Sequence, residues 1–139
     1  MALFKTSWRV RFDEIDMQGV VHHSQIVTYL EIARLDYWRS LEISYGELRA
    51  DGHEFIVHEL SIQYLKPLVF DEIIEVAVFV KRLARASFVL GYEIRNANSE
   101  LAVIADIELV CARVGIARPS ALPPKYLGKL RSAEMSAYR

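Results

Sequence analysis

The residues best equipped for chemistry sit in one short stretch, Asp13-Glu14-Ile15-Asp16-Met17-Gln18-Gly19-Val20-Val21-His22-His23-Ser24. It holds three carboxylates, a glycine and two imidazoles, and it runs directly into a helical pattern. A carboxylate at such a place can act as general base or as nucleophile. A helix N-terminus offers unpaired N–H groups and partial positive charge, which a developing oxyanion needs. Each residue also has a plainer reading. Asp13 reads as solvated loop charge, as Glu14 can. Asp16 can be a turn-former and Gly19 a supplier of positive φ. His22 and His23 can be surface loop. The joint arrangement, rather than any single residue, marks the segment as the candidate site.

The rest of the chain offers less. It lacks G-x-S-x-G, G-x-x-x-x-G-K-[ST] and G-x-G-x-x-G, which argues against an α/β-hydrolase, a P-loop NTPase and a dinucleotide-binding enzyme. His53 and His58 are five apart, which fits neither one helix face nor one strand face, so no metal site is expected. Cys111 falls on the apolar face of a strand and reads as an inert thiol. Being the single cysteine, it also excludes an internal disulfide. Lys81, Arg82 and Arg85 either meet phosphates or form an ordinary charged hairpin.

The elements that must position the segment follow from periodicity. Residues 4–12 alternate, with Phe4, Thr6, Trp8, Val10 and Phe12 on one face, and predict a half-buried strand. From Gln25 to Leu41 the period becomes helical through Ile26, Tyr29, Leu30, Ala33, Tyr37 and Trp38, with Ser24 as the expected N-cap. Gly46 and Gly52 bracket a short connector. Four further strands are expected at 55–65, 72–83, 87–95 and 101–112. In the first of these, Ile56, His58, Leu60, Ile62 and Tyr64 share a face. Short connections make the last three an antiparallel meander, because a parallel crossover needs a dozen residues or more. The prediction is an α+β domain, one long helix laid on a five-stranded antiparallel sheet, with a short helix near 124–131.

Composition bounds the function. With 139 residues, 53% hydrophobic and 25% charged, the chain reads as one globular domain over 1–139. A net charge of −1 gives no global footprint for nucleic acid. No signal peptide or membrane span is expected, so the expected location is the cytoplasm.

F-x-E-x-D-x-x-G-V-V-H-H from Phe12 to His23, then Tyr29-x-Glu31-x-Ala33-Arg34, resembles the 4-hydroxybenzoyl-CoA thioesterase family of hotdog-fold enzymes. It is most similar to the branch of small acyl-CoA thioesterases around the bacterial Tol–Pal-associated enzyme. Ile62-Gln63-Tyr64-Leu65-Lys66-Pro67 with Asp71, then Arg85-Ala86-Ser87-Phe88 and Pro123, extend the match over nearly the whole chain. The resemblance implies a sheet wrapped around one helix. It makes Asp16 the catalytic acid and His23 its histidine, with the His23 N–H polarising the thioester carbonyl. It places Gly19, Val20, Val21, Gln25, Tyr29, Arg85 and Ser87 at the substrate, Arg85 near the CoA phosphates. Glu14 stands where the family usually has Asp. Gln25 and Ile26 replace a small or Asn residue and a Tyr, which leaves substrate preference open.

The expected activity is hydrolysis of acyl-CoA or acyl-carrier-protein thioesters without a cofactor. Asp16 either attacks the carbonyl or activates water. His23 orients water or substrate, protonates the leaving thiolate, or plays no catalytic part. A non-catalytic acyl-CoA-binding module is the rival reading, and a hotdog dehydratase a weaker third. The resemblance implies a homodimer or homotetramer, in which the open edges of a small sheet with one covered face pair with one another. Paired chains would form the acyl pocket between them.

Overall fold

A computed structural model describes residues 3–116 and 118–134. Its elements run β1 (Phe4–Arg9), a 3-10 turn (Phe12–Glu14), α1 (Gln25–Ser40), α2 (Tyr45–Ala50), β2 (His53–Tyr64), β3 (Ile73–Leu83), β4 (Ser87–Arg95), β5 (Leu101–Arg113) and α3 (Pro124–Ser132). One antiparallel sheet has the order β1-β3-β4-β5-β2, so β3, β4 and β5 form the expected meander and β1 and β2 are its edges. Among the described residues no helix is long and apolar enough to cross a membrane.

α1 lies against one face of the sheet. Its apolar stripe of Ile26, Tyr29, Leu30, Ala33, Tyr37 and Trp38 is buried. It meets Ile74, Val76, Val78 and Val80 of β3, Phe88, Leu90, Tyr92 and Ile94 of β4, and Val103 through Cys111 of β5. Removing this much apolar area from water is the main force holding helix to sheet. Thr6 of β1 donates to Asp36 at 3.0 Å, tying the helix to the edge strand.

Four expectations change. The first strand ends at Arg9, not at residue 12. Val10 is buried with its N–H on the Glu72 carbonyl, and the chain then turns, leaving Phe12 76% exposed. Ser24 stands at the N-cap of α1, but its side chain caps nothing there, because its hydroxyl meets the His22 imidazole at 2.8 Å. The connector near Gly46 contains the helix α2, whose N-cap Ser44 accepts the Glu47 N–H at 3.3 Å.

The fourth concerns β2. Its register against β5 slips at His58: Val57 pairs with Leu109, but Glu59 pairs with Glu108. One extra residue in a strand moves every later side chain to the other face. Phe55 therefore lies opposite Cys111 and Leu60 opposite Ile107, all on the core side, while Ile56 pairs with Val110 on the outer side. The single face predicted from Ile56 to Tyr64 is two half-faces joined by a bulge.

Candidate active site

The Asp13–Ser24 segment folds as a tight hairpin. The Asp16 N–H donates to the Val20 carbonyl at 2.8 Å, and the His22 N–H donates to the Glu14 carbonyl at 3.0 Å. Gly19 closes the turn on the Asp16 carbonyl at 3.0 Å with φ +81°, a conformation that a residue with a Cβ rarely adopts. The second arm is stitched to the loop after β2: Val21 donates to Leu68 at 2.8 Å and Phe70 donates to Gly19 at 3.1 Å. Asp16, Gly19, Val20 and Val21 are thereby held together on a braced loop.

The Asp16 carboxylate has two unlike oxygens. Oδ1 accepts the Gln18 N–H at 2.8 Å and the Val20 N–H at 3.4 Å, so it shapes the turn. Oδ2 has no partner among the described residues. On the other arm, the His23 N–H likewise donates to nothing among the described residues. The His23 carbonyl accepts the Ile26 N–H at 3.3 Å and the Tyr64 hydroxyl at 3.0 Å. The imidazoles of His22 and His23 stack with centroids 4.4 Å apart, and both are exposed. A cavity of about 270 Å³ opens beside this helix start, lined by Val21, His23, Ile26, Tyr64, Leu68 and Val103 among others. Asp16 is not in its wall.

The remaining expected substrate residues are dispersed. Gln25 opens α1 and is half-buried. Tyr29 is fully buried, and its hydroxyl donates to Glu14 at 2.7 Å. Burial and that carboxylate push its pKa above the ordinary tyrosine value, so it keeps its proton. Ser87 pairs with Val110, and Val110 with Ile56, whereas Tyr64 pairs with Val103. Seven residues of strand separate the two levels, about 23 Å at ~3.3 Å per residue. One chain therefore does not bring Arg85 and Ser87 to Asp16. Arg85 is exposed at that far end, its carbonyl accepting the Leu122 N–H. Lys81 pairs with Asp106 at 2.9 Å and Arg82 with Glu108 at 3.9 Å.

Two residues carry more of the site than their sequence positions suggested. Glu14, for which loop charge is only the plainer of two readings, is buried, 8% exposed. Tyr64 reads as a strand residue, yet it holds the helix start. Both fall within the motifs of the resemblance, but their contacts had no local signal, since their partners lie 15 and 41 positions away.

His53 and His58 diverge, His53 toward Cys111 and His58 onto Glu108 at 2.9 Å. His58, Glu59 and Glu108 offer ligand atoms within 4.8 Å of one another, with His58 and Glu59 exposed and Glu108 half-buried beside Arg82. The Cys111 thiol is buried, and burial pushes its pKa up.

Residues 18–103 match the family model described as Thioesterase superfamily. The chain is 28% identical over 129 residues to the acyl-CoA thioester hydrolase YbgC of Escherichia coli O6:H1, covering 93% of this chain and 96% of that one. It is 38% identical to a protein of Aquifex aeolicus over 84 residues, 60% of this chain and 66% of that one. The crystal structure of a DHNA-CoA thioesterase from Staphylococcus aureus superposes with a TM-score of 0.85 at 32% identity, over 96% of this chain and 89% of that one. With the sheet-and-helix architecture and the braced acidic hairpin at its helix start, these likenesses show that the chain belongs to the thioesterase superfamily and is a thioester hydrolase.

Proposed function

We propose that the protein, a single hotdog domain over 1–139, hydrolyses thioesters of CoA or of acyl carrier protein. The observation that carries this is the open His23 N–H at the start of α1, beside an apolar cavity and on the same hairpin as the open Oδ2 of Asp16. The named activities of the Escherichia coli relative and the Staphylococcus aureus structure support the substrate class.

A thioester asks little of an enzyme, since its carbonyl is electrophilic and its thiolate leaves readily. The acyl group enters the cavity and its carbonyl oxygen takes the His23 N–H, reinforced by the positive end of α1. Asp16 then removes a proton from a water that adds to the carbonyl carbon. Equally, it adds directly to give a mixed anhydride that water cleaves. Either way the carbon–sulfur bond breaks, the thiolate leaves and takes up a proton, and a carboxylate remains. The His23 imidazole, which lies at the cavity, gives that proton or orients the water. No cofactor enters.

The placement of Arg85 and Ser87 supports a site shared by two chains. β2 is an open edge with Ile56, Val57, Leu60 and Tyr64 each more than a third exposed. Antiparallel pairing of two β2 edges about a two-fold axis sets the Ile56 end of one chain against the Tyr64 end of the other. That brings Ser87 and Arg85 of one chain toward the hairpin of its partner, where Arg85 meets the CoA phosphates.

The test is turnover of a panel of aliphatic and aromatic acyl-CoA esters, followed by thiol release. Activity on at least one ester and its loss in Asp16→Asn are expected. Saturable binding with no turnover of any acyl-CoA or acyl carrier protein would replace this reading with an acyl-binding module.

A further inference from the structure

Among the described residues, the buried pair Glu14–Tyr29 is the one polar contact that ties the base of the acidic hairpin to the interior of α1. Glu14 Oε1 accepts the Tyr29 hydroxyl at 2.7 Å and also accepts the N–H of Arg11 at 2.8 Å. The Glu14 carbonyl meanwhile accepts the His22 N–H, so this residue closes the hairpin with its backbone and anchors it with its side chain. Asp16 lies two residues beyond Glu14 on one arm, and His23 one residue beyond His22 on the other. Tyr29 sits on the second turn of α1, packed edge-on against Trp8 of β1 with centroids 5.4 Å apart. The anchor point is thus itself fixed by the core.

We propose that Glu14 and Tyr29 form a positioning clamp that sets the Asp16 carboxylate against the helix start, and that Tyr29 acts through Glu14 rather than on substrate. The proposal rests on the reading that Asp16 acts on the thioester. Two bonds to one buried carboxylate oxygen fix it strongly, because a charged acceptor makes short, strong hydrogen bonds. Loss of the carboxylate releases the Arg11 and Tyr29 donors together and frees the hairpin base to shift. A small displacement of a catalytic group costs rate rather than substrate affinity. Both clamp residues are buried, Tyr29 fully and Glu14 to 8% exposure, which agrees with a role in positioning.

The test uses the full chain and an acyl-CoA ester that the wild type hydrolyses. Glu14→Ala is expected to lower kcat by about tenfold or more with KM within about twofold, the mark of an interaction felt in the transition state. Glu14→Gln, which keeps an acceptor for both donors, should recover most of kcat. Tyr29→Phe should lower kcat less, and Glu14→Ala/Tyr29→Phe should match Glu14→Ala alone. Amide exchange at Asp16 and Val20 should speed up in Glu14→Ala and stay slow in Glu14→Gln. If Tyr29→Phe raises KM even when Glu14 is absent, Tyr29 touches substrate and the clamp is overturned. A Glu14→Gln variant as slow as Glu14→Ala, with its exchange unchanged, makes Glu14 a reacting group and also overturns it. Should Glu14→Ala fail to fold, Glu14→Gln and the near-isosteric Tyr29→Phe decide. Full turnover in Asp16→Asn would sink the reading of the active site, while amide exchange would still report on the clamp.

Discussion

The hydroxyl of Tyr64 donates to the carbonyl of His23 at 3.0 Å. This joins the last residue of the edge strand to a residue that lines the candidate substrate cavity. Tyr64 is about half exposed, and the bond adds little to the core. Its effect is local, holding the first turn of α1 at a fixed height beside β2. Tyr64→Phe should leave the melting temperature nearly unchanged. It should lower kcat about 2- to 10-fold, the effect of one neutral hydrogen bond worth ~0.5–1.5 kcal/mol. Steady-state kinetics beside a thermal melt would check it.

Asp16 has a structural and a proposed chemical task, and two substitutions separate them. Asn keeps an oxygen for the Gln18 and Val20 N–H groups but cannot take a proton or attack. Ala loses both. Asp16→Asn should abolish turnover at wild-type stability. Asp16→Ala should abolish it and also cost about 1 kcal/mol in urea unfolding, the usual size for a lost side-chain cap.

The distance between Asp16 and Arg85 within one chain yields a complementation test. Arg85→Glu should raise KM for CoA esters far more than for a short pantetheine ester. With the shared site proposed above, mixing Asp16→Ala with Arg85→Glu chains should give mixed dimers, each with one site built from wild-type Asp16 and wild-type Arg85. Assayed well below the raised KM, the mixture should exceed the average of its two parents. A mixture equal to that average would place both residues' action within one chain.

Gly91 of β4 pairs with Phe79 of β3, and a Cβ there would lie 2.4 Å from the Phe79 ring. Phe79 is itself buried. Gly91→Ala must push the ring aside, and a destabilisation of about 1–3 kcal/mol is expected, the ordinary range for overpacking. Chemical denaturation would measure it.

Burial raises the pKa of Tyr29, Tyr37, Tyr92 and Tyr126, that of Tyr37 from 10.0 to about 12. A raised folded-state pKa means that the native state holds the proton more tightly than the unfolded chain. The stability this confers is full below pH 10 and is lost as pH rises through the folded values, for Tyr37 between 10.0 and about 12. An alkaline titration should therefore show these four hydroxyls ionising together with the loss of circular dichroism, rather than before it.

Much of the architecture was legible in the chain. β4 matches its expected bounds, and α1, β3 and β5 lie within a residue of theirs, because each carries a long apolar period that the core enforces. The hairpin of Asp16 and Gly19 was legible as a cluster, since its residues are neighbours in sequence. What failed was non-local. The slip at His58 leaves no mark in composition, because an extra residue in an alternating strand looks like more strand. The short helix α2 was too brief to show a period.

By itself, then, the sequence determined which residues are candidates to act and where the long helix and the meander strands lie, because hydrophobic period and local turn chemistry are properties of neighbours. Only the tertiary structure decided how those residues are grouped. It buried Glu14 against Tyr29, tied Tyr64 to His23, and set Arg85 about 23 Å of strand away from the hairpin, at ~3.3 Å per residue. These relations join distant parts of the chain, and the register of β2 on β5 and the docking of α1 on the sheet fix them, not the order of the residues.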